Sequence, residues 1–122
     1  MISLPVDEAY AFDFLAILEV KFLQSKNPSM KNKVNEYAGY IEKQIGEPKF
    51  YEITASQEWK NLVEANTKTF EWVDKAKTDS CKASDVDRSN YERCKARKAL
   101  QEKFFPGRPI TETKTGYEVY DN

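Results

Sequence analysis

Histidine is absent from this 122-residue chain, and cysteine is scarce. The sequence therefore lacks the usual general base near neutral pH and the commonest protein ligand of transition metals. Cys81 and Cys94 are the only cysteines and form no CxxC pair, so we expect two reduced thiols and no zinc site. Catalysis would have to use carboxylates, lysine, tyrosine, cysteine or a hard metal ion. We expect neither a metal nor a cofactor.

The chain also lacks a long apolar run and an excess of either charge. Its most apolar stretch, residues 9–23, is broken by Asp13, Glu19 and Lys21, and the opening residues include no basic region. This pattern predicts neither a membrane-spanning helix nor a signal peptide. The 19 basic and 20 acidic residues nearly cancel, which gives no overall field toward nucleic acid or an anionic membrane. We expect a cytoplasmic protein that binds neither.

What is present is helical periodicity within a single domain, residues 1–122. Apolar residues make up 40% of the chain and charged residues 32%, which is typical of a protein with many exposed helix faces. Four helices are predicted from caps and spacing. They run from the caps Asp7, Asn27, Thr54 and Ser84 to about Gln24, Ile45, Thr78 and Phe104.

These helices predict an all-α fold in which two antiparallel hairpins pack as a four-helix bundle. The first helix is apolar over more than half of its circumference, so we expect it to be central. Its predicted core face comprises Phe12, Phe14, Leu15, Leu18, Phe22 and Leu23, with Asp13 in a narrow polar sector. The tail from Ile110 to Tyr120 alternates loosely, which predicts a minor β pairing with residues 2–6 at the other terminus.

The third and fourth helices carry similar heptad stripes that polar residues interrupt. The stripes are Trp59, Val63, Asn66, Phe70, Val73 and Lys77 in one helix, and Val86, Asn90, Arg93, Arg97, Leu100 and Phe104 in the other. If a turn near residues 79–84 folds the second stripe onto the first, the predicted facing pairs are Asn66 with Arg97, Phe70 with Arg93, and Val73 with Asn90.

A polar layer is therefore expected inside the hairpin, and an inward guanidinium is costly unless it is paired. In a structural interpretation, Arg93 and Arg97 pair with carboxylates while asparagines fix the register of the helices. In a functional interpretation, the same groups line a cleft for a small anion. The candidate residues are Asp13, Glu19, Lys21, Asn66, Glu71, Asp74, Asn90, Arg93 and Arg97, of which Glu19, Glu71 and Asp74 are the expected partners of the arginines.

Four elements, in the same order along the chain, resemble an uncharacterised family of small bacterial and phage proteins. They are Pro5-Val6-Asp7 with Asp13 and Ile17-Leu18-Glu19-Val20-Lys21; Asn66, Phe70, Glu71 and Asp74; Asn90, Arg93 and Arg97; and Glu112, Lys114, Thr115 and Tyr117. The sequence departs from the family pattern at Tyr10, Phe14 and Val73, where members carry charged residues. The resemblance implies a helical layout and the same polar residues, but no mechanism.

The predicted function is that of a small non-catalytic interaction or accessory protein acting as a homodimer, because four helices with this much aromatic surface leave an apolar face uncovered. The alternative is a small-anion-binding helical-bundle enzyme that uses the inward cluster of arginines and carboxylates. Basic residues on the fourth helix are diluted by Glu92 and Glu102, which favours a solvated face over nucleic-acid binding. An exposed Trp72 beside Tyr37 or Tyr40 would mark a subunit interface.

Overall fold

The computed structural model of the protein describes residues 1–78 and 82–110. These residues form helices and contain no strand, which confirms the predicted all-α class. The helices are α1 Glu8–Ser25, α2 Pro28–Ile45, α3 Glu47–Thr54, α4 Gln57–Lys77 and α5 Ala83–Phe104. No helix in these two ranges is long and apolar enough to cross a membrane.

The first two helices begin where their caps predict. The Asp7 carboxylate accepts a hydrogen bond from the backbone N–H of Tyr10 at 2.7 Å, and the Asn27 side chain accepts one from the N–H of Ser29 at 3.0 Å. Each bond satisfies a backbone donor that has no partner within its own helix. Between them, Lys26 adopts a left-handed conformation with φ of 57°, which ends α1 and permits the short link to α2.

The short helix α3 is not among the predicted elements, which place residues 49–53 in a crossing segment. Pro48 lies in the first turn of this helix, which begins at Glu47, because proline is tolerated in the first helical turn. The cap of α4 also differs from the predicted Thr54: the Ser56 hydroxyl accepts from the N–H of Trp59 at 3.1 Å. The short turn between α3 and α4 moves the cap two residues along the chain.

Helix α1 is central, as predicted, because it contacts α2, α4 and α5 and supplies much of the core. The buried apolar side chains of the described residues are Ala9, Phe12, Leu15, Ala16, Leu18, Val20, Val34, Phe50, Ile53, Leu62, Leu100 and Phe104. The ring of Phe12 lies 6.0 Å from those of both Phe50 and Trp59, so α3 closes the core beside the start of α4.

Two predicted core residues of α1 instead face outward. Phe14 is 44% exposed and Leu23 is 49% exposed, whereas Asp13, which the sequence places in a polar sector, is buried. The buried face of α1 is thus rotated toward Ala9, Asp13 and Ala16.

Helices α4 and α5 form an antiparallel hairpin, and the predicted facing pair Asn66 and Arg97 meets at the carboxylate of Asp13. The other two predicted facing pairs stay predictions. Thr69 Oγ1 lies 2.9 Å from Ser89 Oγ, and both hydroxyls are buried between the helices. Glu58 of α4 also pairs with Lys103 of α5, with their oxygen and nitrogen 2.8 Å apart. Buried residues of α4 are centred on Leu62, Asn66 and Thr69 rather than on the whole predicted stripe.

The predicted β pairing of the termini stays a prediction. Residues 2–6 are not in a strand, and all but Ile110 of the predicted tail strand lies outside the described residues. Cys81 also lies outside them, while Cys94 on α5 is a free thiol. The start of α5 at Ala83 precedes the predicted cap Ser84, and the Asp85 carboxylate accepts from the N–H of Lys82 at 3.0 Å.

Candidate functional site

Asp13 is the centre of a polar cluster at the junction of α1, α4 and α5. Its carboxylate is almost completely buried, and its two oxygens face different helices. Oδ1 accepts a hydrogen bond from Asn66 Nδ2 of α4 at 2.9 Å. Oδ2 lies 3.4 Å from a terminal nitrogen of Arg97 and 3.6 Å from Nε of Arg93, both on α5. One carboxylate therefore joins three helices.

Asn66 is held in one orientation by two hydrogen bonds that its amide group donates. Besides Asp13, Nδ2 contacts the backbone carbonyl of Leu62 at 3.0 Å, so exchanging the amide nitrogen and oxygen would lose both bonds. The side chain is fully buried, and its Oδ1 has no hydrogen-bond donor among the described residues. The orientation that lets Asn66 Nδ2 donate to Asp13 therefore leaves Oδ1 without a donor among the described residues.

The two arginines differ in their environments. Arg97 is buried, its guanidinium lies 5.8 Å from the centre of the Tyr10 ring, and one of its nitrogens lies 3.9 Å from Cys94 Sγ. Tyr10 thus covers this cation with an aromatic face, which adds a cation–π contact to the ion pair. The side chain of Arg93 keeps 26% of its surface exposed, so it lies at the edge of the cluster.

Of the predicted site residues, the structure brings together Asp13, Asn66, Arg93 and Arg97. The expected carboxylate partners of the arginines do not take part, and this part of the prediction is wrong. Glu71 is exposed, and Asp74 lies 3.8 Å from Lys77 on the same helix. The arginines face Asp13 of α1 rather than the acidic flank of α4.

The remaining candidates also lie outside the cluster. Glu19 is partly exposed at the edge of a groove between α1 and α4, and Lys21 is exposed. Asn90 donates to the carbonyl of Val86 in its own helix at 3.3 Å. Trp72 contacts Lys75, whose Nζ lies 4.5 Å from the ring centre.

Asp13 is among the predicted candidates, but the sequence pattern favoured Glu19, Glu71 and Asp74 as the partners of the arginines. A signal for its burial was present, since Ala9 precedes it by one helical turn and Ala16 follows by nearly one turn. Both alanines are buried with it. A carboxylate between two small residues on one helix face can be reached by a long arginine from a neighbouring helix. No feature of the sequence predicts the contact between the hydroxyls of Thr69 and Ser89.

A second polar group ties the start of α1 to the end of α5. Gln101 accepts from the buried N–H of Ala9 at 2.8 Å and donates to Glu8 at 3.0 Å. Arg108 donates to the same glutamate through two nitrogens, at 3.0 and 3.2 Å. Partial burial opposes ionisation of Glu8, but these hydrogen bonds outweigh it and hold the pKa of the carboxyl below its usual range.

Within the described residues, no group of three or more histidine, cysteine, aspartate or glutamate side chains is placed to hold a metal ion. The Asp13 cluster can hold three helices in register, and Arg93 can offer part of a guanidinium to an anion from outside. Searches for related proteins found no family model, curated protein or solved structure that matches this chain. The family resemblance therefore stays a prediction.

Proposed function

We propose that this protein is a small, non-catalytic cytoplasmic interaction protein that acts as a homo-oligomer. The observation that carries the proposal is the exposure of large apolar side chains on α1 and on the residues before it. These exposed side chains include Ile2, Leu4, Val6, Tyr10 and Phe14. Exposed apolar surface of this extent is typical of a surface that another molecule covers.

The internal pairing of the polar cluster supports a scaffolding role for the charges. Both arginines contact Asp13, and Asn66 joins the same carboxylate from α4. A buried ion pair of this kind is best accounted for as a device that fixes how helices meet, since it contributes little net stability. The arginines that the sequence predicted to face inward thus contact a carboxylate of the same chain.

Aromatic side chains on the outside of α1 and α2 support a role in binding. The rings of Phe14 and Tyr37 lie 5.3 Å apart, and those of Tyr37 and Tyr40 lie 5.6 Å apart. The hydroxyl of Tyr40 donates to Glu36 at 2.7 Å, which raises the pKa of this phenol. Tyrosine is enriched at interfaces because it combines a large apolar ring with a polar tip.

A four-helix bundle is the architecture that we propose for this scaffold, with α3 as an added closing turn. Contacts of α1 with α2, α4 and α5, together with the hairpin of α4 and α5, support it. In such a bundle the outer surface of α1 and α2 remains available to a partner.

Sedimentation equilibrium tests the proposed self-association directly. For a chain of 14.2 kDa, we expect a dimer with twice this mass at micromolar concentration. A protein that stays monomeric up to about 100 μM would refute homo-oligomeric action, since physiological self-association of a small cytoplasmic protein requires dissociation constants at or below this scale.

The alternative function is a small-anion-binding enzyme, and the partly exposed Arg93 is the observation that favours it. We would compare the native protein with Arg93→Met in a thermal-shift screen of anionic metabolites and nucleotides. An anion at 100 times its dissociation constant stabilises the folded state by about 2.7 kcal/mol. A shift of several degrees that disappears in Arg93→Met would favour this alternative. Equal behaviour of the two proteins would leave the arginine as part of the scaffold.

A further inference from the structure

The apolar core ends part-way along the hairpin of α4 and α5. Its last buried apolar residue on α4 is Leu62, and its first on α5 is Leu100. The described residues between these two include buried positions that are polar without exception, namely Asn66, Thr69, Ser89 and Arg97. Burial of apolar surface is the main favourable term in folding. The part of the hairpin that lies farthest from the core therefore gains little from this term.

We call residues 69–77 of α4 and 83–89 of α5 the distal hairpin. Its apolar side chains are at most partly buried, including those of Phe70, Val73 and Val86. A buried contact within it is the hydroxyl pair of Thr69 and Ser89, whose oxygens lie 2.9 Å apart. Such a hydrogen bond adds little net stability, because the same hydroxyls bond to water when the helices separate.

The Asp13 cluster lies at the inner border of the distal hairpin. Asn66 precedes the hydroxyl pair by nearly one turn of α4, and Arg93 follows it by about one turn of α5. Both side chains contact the carboxylate of Asp13, which ties this layer to α1. Separation of the helices beyond this layer would break a buried ion pair, which is costly. The cluster therefore divides the hairpin into a part held by α1 and a part outside the apolar core.

We propose that the distal hairpin opens as one cooperative unit while the rest of the protein stays folded. Regions with few buried apolar side chains open at a smaller free energy than the whole domain, and adjoining residues open together. The open form uncovers the side chains of Phe70, Val73 and Val86, while the core around Leu62 stays closed. This motion goes beyond the proposed function, because a single chain performs it without a second copy.

Hydrogen exchange of the native protein tests this opening at single residues. The amides of Val73 and Ser89 should have the same protection factor, because one event exposes both. This factor should be about tenfold or more below that of Leu15 in the core of α1. Exchange at Val73 and Ser89 should also respond less steeply to added urea, since the opening exposes less surface than global unfolding does.

Two mild variants separate the distal hairpin from the core. Ile53→Val removes one methylene group from a fully buried side chain of α3. It should accelerate exchange at Leu15 about fivefold and leave Val73 and Ser89 unchanged, because the distal hairpin opens without α3. Thr69→Val removes one hydroxyl of the buried pair and keeps the shape of the side chain. It should accelerate all three amides about fivefold, because global unfolding also includes this opening.

The outcomes that would overturn the proposal are distinct. A protection factor that falls gradually toward the ends of α4 and α5 would indicate ordinary fraying instead of a cooperative unit. Equal acceleration of Val73 and Leu15 in Ile53→Val would show that the chain opens only as a whole. Unchanged exchange at Val73 in Thr69→Val would show that the hydroxyl pair does not hold the distal hairpin closed.

Discussion

Replacing Asp13 by asparagine removes the charge that both arginines contact while it preserves the shape of the side chain. The new amide group can still accept from Asn66 through its oxygen. Its nitrogen, however, would stand where Oδ2 now lies, 3.4 Å from Arg97 and 3.6 Å from the Nε of Arg93. Three groups of hydrogen-bond donors would then face one another in a buried space.

The expected loss of stability follows from this geometry. Breaking a buried ion pair by removal of one partner costs about 3 to 5 kcal/mol, because the remaining charge stays desolvated. Arg97 is the buried cation of the cluster, whereas Arg93 can turn toward water. We therefore expect a loss near the lower limit, about 3 kcal/mol, which is a large part of the 5 to 15 kcal/mol typical of a folded domain.

Urea unfolding followed by circular dichroism measures this loss, with Asp74→Asn as the matched control. Asp74 is exposed and lies 3.8 Å from Lys77, so its replacement should change the free energy of unfolding by less than about 0.5 kcal/mol. Combining Asp13→Leu with Arg97→Met should recover much of the stability, since an apolar pair can replace a buried ion pair. A loss below about 1 kcal/mol in Asp13→Asn, or no recovery in the double variant, would refute the reasoning.

Four further changes probe other contacts. Arg108→Gln should lower the free energy of unfolding at pH 7, because Arg108 helps to hold the pKa of Glu8 below its usual range. The stability that this lowered pKa contributes is present above the pKa of an unfolded glutamate and is lost as pH falls through the folded value, so the effect of Arg108→Gln should shrink in urea titrations at successively lower pH. Gln101→Ala should cost about 1 to 3 kcal/mol in the same assay, because the buried N–H of Ala9 loses its acceptor. Ser56→Ala should cost about 1 kcal/mol through loss of the α4 cap, and equal stability would contradict the assignment of Ser56 as the cap. Leu62→Ala should lower the thermal midpoint by an amount that corresponds to about 2 to 5 kcal/mol, since this side chain is fully buried.

Prediction from sequence succeeded where the cause is local. The caps at Asp7 and Asn27 depend on one side chain and a backbone N–H two or three residues away, and both are observed. Helix α3 is not predicted from the sequence, because eight residues are too few to establish a helical period and Pro48 in its first turn is equally typical of a helix end. Its stability comes from the burial of Phe50 and Ile53 against other helices.

The candidate site could be predicted only as a set of residue types. Helical spacing identified Asn66 and Arg97 as inward and showed that a buried guanidinium needs a carboxylate, which the structure supplies. Spacing could not choose among Asp13, Glu19 and Glu71, because that choice depends on how far α5 slides along α4 and how α1 is rotated. A shift of one helical turn moves an arginine about 5 Å, which exceeds the tolerance of an ion pair.

The sequence by itself determined the helical class, the principal helix boundaries and the need for a paired polar layer, because each follows from contacts within a few residues. Tertiary structure alone decided that Asp13 is the shared carboxylate, that Thr69 meets Ser89, and that Phe14 and Leu23 face outward. These outcomes follow from the rotation and register of packed helices. Both are set by the simultaneous fit of many side chains, and no single stretch of sequence contains that information.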